Sequence, residues 1–269
     1  MSGFSAEWLS LREPYDARAR NRTVLDAVAA MVAGRTSVAV VDLACGTGAT
    51  LRSIGSLFPT RQSWRLVDND LSLLARAMPL LPIAGQNVVT VPIDIARDVE
   101  AALDGPVDLI TTSALLDLVS ADWLERFATE AAVRNLPVYA ALSYDGAIAF
   151  EPSDTLDARM IASFNRHQRS DKGFGPALGP SAGGEAMARF KALRYKLVHG
   201  PSDWSFGPSD DEIQSEFVTG LAVAARESGD LTLAEVIGWL ERRRDHIASG
   251  RSSIRVGHVD FLAQPTGTR

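Results

Sequence analysis

The first half of the chain alternates between two hydrophobic spacings. Runs of β-branched and other apolar residues predict buried strands at 38–42, 63–68, 88–93, 106–113 and 137–144. Between these runs, apolar residues recur every three or four positions, which is typical of a helix that packs one face on a sheet. The repeated order of strand and helix predicts an α/β fold, with a doubly wound, mostly parallel sheet and helices on both faces.

The second half departs from this regular repeat. An Asp-Gly pair at 145–146 between two β-like runs predicts a hairpin that returns over 147–150. Beyond it, the pattern predicts helices at 154–169, 185–192, 210–228 and 231–248, strands at 193–199 and 253–262, and a Gly- and Pro-rich loop at 171–180. The sheet is therefore expected to have seven strands, followed by a helical elaboration after the fifth.

No internal repeat, low-complexity tract or linker divides the sequence, which indicates a single domain over 1–269. We distinguish N-terminal helices at 1–35, a core at 36–150, a lid and helical elaboration at 151–250, and a last strand with a tail at 251–269. Pro14 predicts a break in the N-terminal helical segment. Residues 166–180 carry their own aromatic and charged side chains, which favours a functional lid, and an ordered connector is the alternative.

Composition narrows the classes of function. The formal net charge is −6, and Lys and Arg are scattered rather than striped, which disfavours a nucleic-acid partner. No apolar run approaches the length of a membrane span. The single cysteine, Cys45, excludes an internal disulfide, and the N-terminus lacks a basic start and an apolar run, so a cytoplasmic protein is expected. No spacing of His, Cys and carboxylates predicts a metal site.

The most specific pattern lies at 38–51, where a buried strand is followed by a turn with Gly46 and Gly48 and then by a helix. Glycine suits such a turn because it accepts positive φ and lets backbone N–H groups approach a ligand. A dinucleotide-binding turn would have a third glycine where this chain has Leu51, and a P-loop would have a lysine after the second glycine. Asp42 at the strand end would repel a phosphate and attract an amino group.

This acid-x-x-x-Gly-x-Gly pattern resembles motif I of the class I S-adenosylmethionine-dependent methyltransferases. Acids that end the next two predicted strands extend the resemblance over residues 36–145. It implies the class I methyltransferase fold and S-adenosylmethionine as cofactor. It also implies that the methionine part contacts Asp42, Ala44, Gly46 and Gly48, the ribose Asp68 and Asn69, the adenine Asp94 and Ile95, and that Ser113 and Ala114 lie beneath the sulfonium.

The segment upstream of the glycine turn gathers cationic and aromatic side chains. Members of the family often place such a helix over the cofactor. Arg12 and Tyr15 are therefore predicted to contact the cofactor's carboxylate or to close the pocket, and a solvated basic face is the alternative.

The acceptor side is less specific. Family members that methylate nitrogen often carry Asn or Asp followed by Pro-Pro and an aromatic residue where this chain has 112–115, so a DNA-base or glutamine-amide methyltransferase is disfavoured. Asp117 is predicted to orient or deprotonate a hydroxyl or amine, or else to cap a turn. His167 lies in a polar cluster with Lys172 on the expected lid, which predicts a base or an anion contact, or else a structural histidine.

The function that these residues predict is transfer of a methyl group from S-adenosylmethionine to an O or N atom of a small-molecule acceptor, by a monomer or homodimer. An NAD-dependent oxidoreductase is the first alternative. The others are a non-catalytic protein that keeps the cofactor-binding fold for regulation or binding, and a methyltransferase that acts on protein or RNA. A basic groove would favour a macromolecular acceptor, whereas a closed lid would favour a metabolite.

Overall fold

The computed structural model describes residues 4–78 and 84–266. Its strands are β1 (Ser37–Leu43), β2 (Arg61–Asp68), β3 (Gln86–Pro92), β4 (Leu109–Ser113), β5 (Val138–Glu151), β6 (Tyr195–Pro201), β7 (Trp204–Phe206) and β8 (Ser253–Pro265). They form one sheet in the order β3-β2-β1-β4-β5-β8-β6, and β7 pairs with β8. The first five strands are parallel, and β8 runs antiparallel to its three neighbours.

Ten α-helices lie in the described residues. They are α1 (Ala6–Ala19), α2 (Arg22–Val32), α3 (Ala49–Ile54), α4 (Leu71–Ala77), α5 (Val99–Ala102), α6 (Ala121–Val133), α7 (Asp157–His167), α8 (Ala182–Ala192), α9 (Asp211–Ser228) and α10 (Leu233–Ala248). No helix in these ranges has both the length and the apolar character needed to cross a membrane.

The mostly parallel α/β sheet agrees with the sequence pattern, and it has eight strands rather than the seven expected. The additional strand is β7, whose three residues pair with the start of β8. A run of three residues is too short to show a strand periodicity in sequence, so only its partner strand reveals it.

The break predicted at Pro14 is wrong, because α1 continues through this residue. A proline removes one donor from the helix, and contacts on both sides of it hold the segment in place. Glu13 forms an ion pair with Arg52, and Tyr15 donates a hydrogen bond to Asp210. The N-terminal segment does break, at Arg20, whose ψ of 132° turns the chain out of the helix.

The hairpin predicted at 145–146 is also wrong. Both runs belong to β5, which is one strand of 14 residues along β8, with register shifts between Ala140 and Ser143 and between Tyr144 and Ile148. The long antiparallel partner offers pairing to both runs, so the extra residues form bulges instead of a turn.

Three clusters of apolar side chains form the core. One lies between the sheet and α5, α6 and α8, and a second lies between the opposite face and α2, α3 and α4. The third joins α7, α9 and α10 to the far end of β5 and to β7 and β8. The helical elaboration predicted after the fifth strand is therefore packed on the half of the sheet that holds β5 and β8.

Candidate active site

The turn between β1 and α3 has a left-handed backbone at three positions. Ala44, Gly46 and Gly48 have φ values of 52°, 53° and 80°. A Cβ at Gly48 would lie 3.1 Å from the carbonyl oxygen of Ala77, and a Cβ at Gly46 would lie 3.1 Å from Cδ1 of Leu9. Both glycines are thus required by conformation and by close neighbours, and α1 lies against the turn through Leu9.

Asp42 ends β1 beside this turn with 1% of its surface exposed. Thr111 on β4 donates a hydrogen bond of 2.8 Å to Oδ1, and within the described part of the chain Oδ2 has no hydrogen-bond partner. Burial raises the pKa of Asp42 to about 7, against the opposing effects of the Thr111 hydroxyl, the positive charge of Arg20 and the nearby Thr50 hydroxyl. The site therefore holds a buried acceptor that a ligand ammonium group would satisfy.

Asp68 ends β2 and joins it to the turn. Its Oδ2 accepts a hydrogen bond of 2.9 Å from the backbone N–H of Gly46, and Oδ1 accepts one of 3.0 Å from Asp70. Each carboxylate oxygen keeps a further lone pair for a donor such as a hydroxyl. The neighbouring Asn69 is exposed.

The two residues predicted to contact adenine follow β3. Oδ1 of Asp94 accepts a hydrogen bond of 3.1 Å from Ala96. Ile95 is buried, and its carbonyl accepts a hydrogen bond of 2.6 Å from the Trp123 indole. This segment is thus held against α6, at the same sheet edge as Asp42 and Asp68.

Ser113 ends β4 and is half-buried. The next residue, Ala114, has a φ of 52° and donates its backbone N–H to the carbonyl of Ala141 on β5. The ends of β1 to β4 therefore bring Asp42, Asp68 and Ser113 to one edge of the sheet, as parallel strands require.

Arg12 and Tyr15 lie on α1 in different surroundings. Arg12 is 8% exposed, and its Nε donates a hydrogen bond of 2.9 Å to Asp16. Its guanidinium carbon lies 5.2 Å from the centroid of the Trp204 ring. The Tyr15 hydroxyl donates a hydrogen bond of 2.9 Å to Asp210, so the polar end of this side chain faces the start of α9. Contact of either side chain with a cofactor stays a prediction.

Arg20 is a buried cation near Asp42 that the sequence interpretation did not select as a candidate. It is 6% exposed and donates one hydrogen bond, of 3.1 Å, to the Tyr139 hydroxyl, while Nε and Nη2 have no partner in the described residues. Its charge acts on Asp42 and Asp260. The sequence signal that could have identified Arg20 is its position. It directly follows α1, and only α2 and β1 separate it from the glycine turn.

Asp117 and His167 lie in different environments. Asp117 belongs to a buried turn after β4, and its Oδ1 has no hydrogen-bond partner in the described chain. His167 ends α7, with Nε2 3.0 Å from Glu227 and Nδ1 3.4 Å from the Lys172 ammonium. Lys172 carries a positive charge that reaches Asp117, so it connects the two positions.

The predicted lid loop is attached to the body of the protein. Phe174 packs edge-on against Trp123 with ring centroids 5.4 Å apart, and Leu178 donates its N–H to the carbonyl of Val119. Asp171 caps the loop by accepting from the N–H groups of Gly173 and Gly175. These contacts order the loop beside the Asp117 turn, and its movement as a lid stays a prediction.

Solved structures share this architecture. A cyclopropane synthase from Mycobacterium tuberculosis matches with a TM-score of 0.51 and 11% identity, over 97% of this chain and 95% of that one. A mycolic acid cyclopropane synthase solved with SAH and CTAB matches with a TM-score of 0.50 and 10% identity, over 89% of this chain and 82% of that one. A cyclopropane-fatty-acyl-phospholipid synthase-like protein from Lactobacillus casei matches with a TM-score of 0.50 and 10% identity, over 94% of this chain and 98% of that one. No protein-family model and no curated protein matches the sequence significantly.

These likenesses concern the fold, since their identities are low and function belongs to the site. The chain has the class I methyltransferase fold, as the resemblance in motif I implied. The antiparallel β8 between β5 and β6 completes it.

Proposed function

We propose that the protein is an S-adenosylmethionine-dependent methyltransferase that transfers the methyl group to an O or N atom of a small-molecule acceptor. The observation that carries the proposal is Asp42, a carboxylate buried at the end of β1 with an oxygen that has no partner in the described chain. A buried acceptor of this kind calls for a cationic donor from a ligand. An amino-acid moiety beside a glycine turn supplies that donor.

The residues at the sheet edge fit the parts of this cofactor. Asp42 would hold the ammonium group, and the unpaired nitrogens of Arg20 would hold the carboxylate beside it. Asp68 would accept from the ribose hydroxyls, while Asp94 and Ile95 would contact the adenine. Gly46 and Gly48 would let the backbone approach the ligand closely.

The bound cofactor would supply a methyl group on a positively charged sulfur, which already leaves readily. The chain's own work would then be to position the acceptor and to exclude water. Asp117 is our candidate for receiving a proton, because burial raises its pKa to about 6. We propose that His167 acts on the site through Lys172, which lies between it and the Asp117 turn.

The alternatives are less well supported. An NAD-dependent oxidoreductase would seat a pyrophosphate at the glycine turn, where Leu51 replaces the third glycine and the carboxylate of Asp42 would repel phosphate. A non-catalytic binding protein would keep the cofactor residues but would not need the buried Asp117. We further propose a monomer or homodimer. We also propose that the protein is cytoplasmic, because its single cysteine, Cys45, is buried and free.

Calorimetric titration with S-adenosylmethionine, S-adenosylhomocysteine and NAD tests the proposal. We expect binding of the first two ligands and none of NAD, and loss of binding in Asp42→Ala. The matched control is Asp26→Ala, which removes an exposed carboxylate on α2. Binding of NAD alone, or equal binding by Asp42→Ala, would contradict the proposal.

A further inference from the structure

A second group of polar side chains lies at the same sheet edge, next to the cofactor residues. Asp117 follows β4, Tyr144 lies in β5 after its first bulge, and His258 is the partner of Tyr144 on β8. The backbone of Tyr144 lies close enough to the Asp117 carboxylate to oppose the rise in its pKa that burial causes. Tyr144 is thus a common neighbour of Asp117 and His258.

The contacts of His258 determine which of its nitrogens can bind a ligand. Nδ1 lies 3.0 Å from the carbonyl oxygen of Val256, which can only accept, so Nδ1 carries the proton. Burial and the charge of Arg12 lower the pKa of His258 to about 3, so the ring is neutral. Nε2 therefore presents a lone pair, and within the described residues it has no hydrogen-bond partner.

Two aromatic rings pack beside the imidazole of His258. The Trp204 ring centroid lies 4.9 Å from that of His258, and the Tyr144 ring lies 6.0 Å away. Arg12 lies over Trp204, with its charge balanced by Asp16. The other cation whose charge reaches Asp117 is Lys172, and it also faces Glu227.

We propose, resting on the function proposed above, that Asp117 Oδ1 and His258 Nε2 together bind the acceptor, and that the acceptor is an amine. Both atoms are hydrogen-bond acceptors on buried side chains, so they complement a group with two N–H donors. A carboxylate or phenolate would meet two lone pairs and a negative charge there. Repulsion and unpaired polar atoms would exclude such anions.

The transfer step balances for an amine. A protonated amine gives one proton to the Asp117 carboxylate, so that an N–H bond breaks and an O–H bond forms. The freed nitrogen lone pair then forms the bond to the methyl carbon, while the carbon–sulfur bond breaks and its electron pair stays on sulfur. The cation is now the methylated ammonium, which His258 and Asp117 can still hold by its remaining N–H groups.

Two substitutions of His258 separate its functions. His258→Asn keeps a donor near the position of Nδ1, toward Val256, and removes the acceptor at Nε2, whereas His258→Gln places an amide oxygen near Nε2. His199→Asn, on an exposed residue of β6, is the matched control. Thermal unfolding first establishes which variants fold.

Methyl transfer is measured with ethanolamine, benzylamine and tyramine, and with acetate and benzoate as anionic partners of similar size. We expect at least one amine and neither acid to be methylated. We expect kcat/KM to fall about tenfold in His258→Asn, the cost of one lost hydrogen bond to a polar group. His258→Gln should recover part of the loss, and S-adenosylhomocysteine binding should be the same in all variants.

Nitrogen NMR of labelled histidines reports ligand binding independently of turnover. The Nε2 signal assigned to His258 should shift with the amines and not with the acids, with or without S-adenosylhomocysteine. Failure of S-adenosylhomocysteine to bind would remove the proposed function, while this measurement still decides the ligand class. Methylation of an acid, wild-type kinetics in His258→Asn, or absence of any amine-induced shift would overturn the inference.

Discussion

Two halves of the sheet edge are held together in different ways: the ends of β1 to β4, where we propose that the cofactor binds (the cofactor half), and the region of β5 and β8, where we propose that the acceptor binds (the acceptor half). At β1 to β4, polar side chains bond to backbone groups at neighbouring strand ends, as Asp68 does to Gly46 and Asp70. In the helices packed on β5 and β8, buried charges join segments far apart in sequence, as Arg243 on α10 joins Asp157 on α7. The first half is therefore built from short-range turn chemistry, and the second depends on long-range packing.

The largest expected effect tests the packing of the acceptor half. Arg243 is fully buried, bonds to the Asp157 carboxylate and lies 4.4 Å over the Phe150 ring. Arg243→Met should lower the free energy of unfolding by about 3–5 kcal/mol, because Asp157 would keep a largely buried charge without its partner. Urea unfolding measures the change.

Arg22 on α2 is the control for this experiment. It pairs with Asp26, and 88% and 66% of the two side chains are exposed. Arg22→Met should cost less than about 1 kcal/mol, since solvent screens an exposed pair. Equal costs for the two substitutions would show that burial does not distinguish these pairs.

A smaller effect tests the cofactor half. Asp68→Ala should weaken S-adenosylhomocysteine binding by about 1–3 kcal/mol, because the ribose hydroxyls would lose a charged acceptor. Calorimetry measures this, with Asp70→Ala as control, since Asp70 caps α4 by accepting from Ser72 and Leu73. Unchanged affinity in Asp68→Ala would remove the ribose role.

The pH dependence of binding tests Asp42. Its folded-state pKa is raised to about 7, so the retained proton stabilises the free protein at low pH, and this stability is lost as pH rises through about 7. A ligand ammonium favours the charged carboxylate, so affinity should rise with pH through this range, by at most about tenfold per pH unit below the pKa. Calorimetry at several pH values should show the rise in the wild type and its absence in Asp42→Asn.

The smallest expected effect concerns His167. Its hydrogen bond with Glu227 is partly exposed and contributes about 0.5–1 kcal/mol, so His167→Ala should lower turnover about two- to fivefold through Lys172. His199→Ala is the control. A loss of about a hundredfold or more with unchanged cofactor affinity would instead identify His167 as the catalytic base that the sequence suggested.

Much of the cofactor half could be predicted because its signals are local. A buried strand, an acid and two glycines occupy 38–48, and each later strand of the parallel set ends near another polar residue. Parallel strands with right-handed crossovers bring these ends to one edge. The positions of Asp42, Asp68 and Ser113 at that edge follow from this rule.

The acceptor half could not be predicted in this way. Asp145 and Gly146 have the composition of a hairpin turn, yet β8 pairs with both sides of them and makes one bulged strand. Pro14 has the composition of a helix break, yet contacts from distant residues keep α1 continuous. In both places the local turn or break did not form, because contacts with distant segments stabilise the continuous strand or helix more than the local propensity favours the turn or break.

The sequence by itself determined the α/β repeat, the glycine turn and the acids that follow the strands, since these depend on neighbours a few residues apart. Only the tertiary structure decided that Arg20 lies near Asp42 and that His258 pairs with Tyr144. In both cases the burial of one charge or lone pair depends on a segment more than twenty residues away. The packing of the strands and helices determines which residues become partners, and the spacing of residues along the sequence does not predict these pairs.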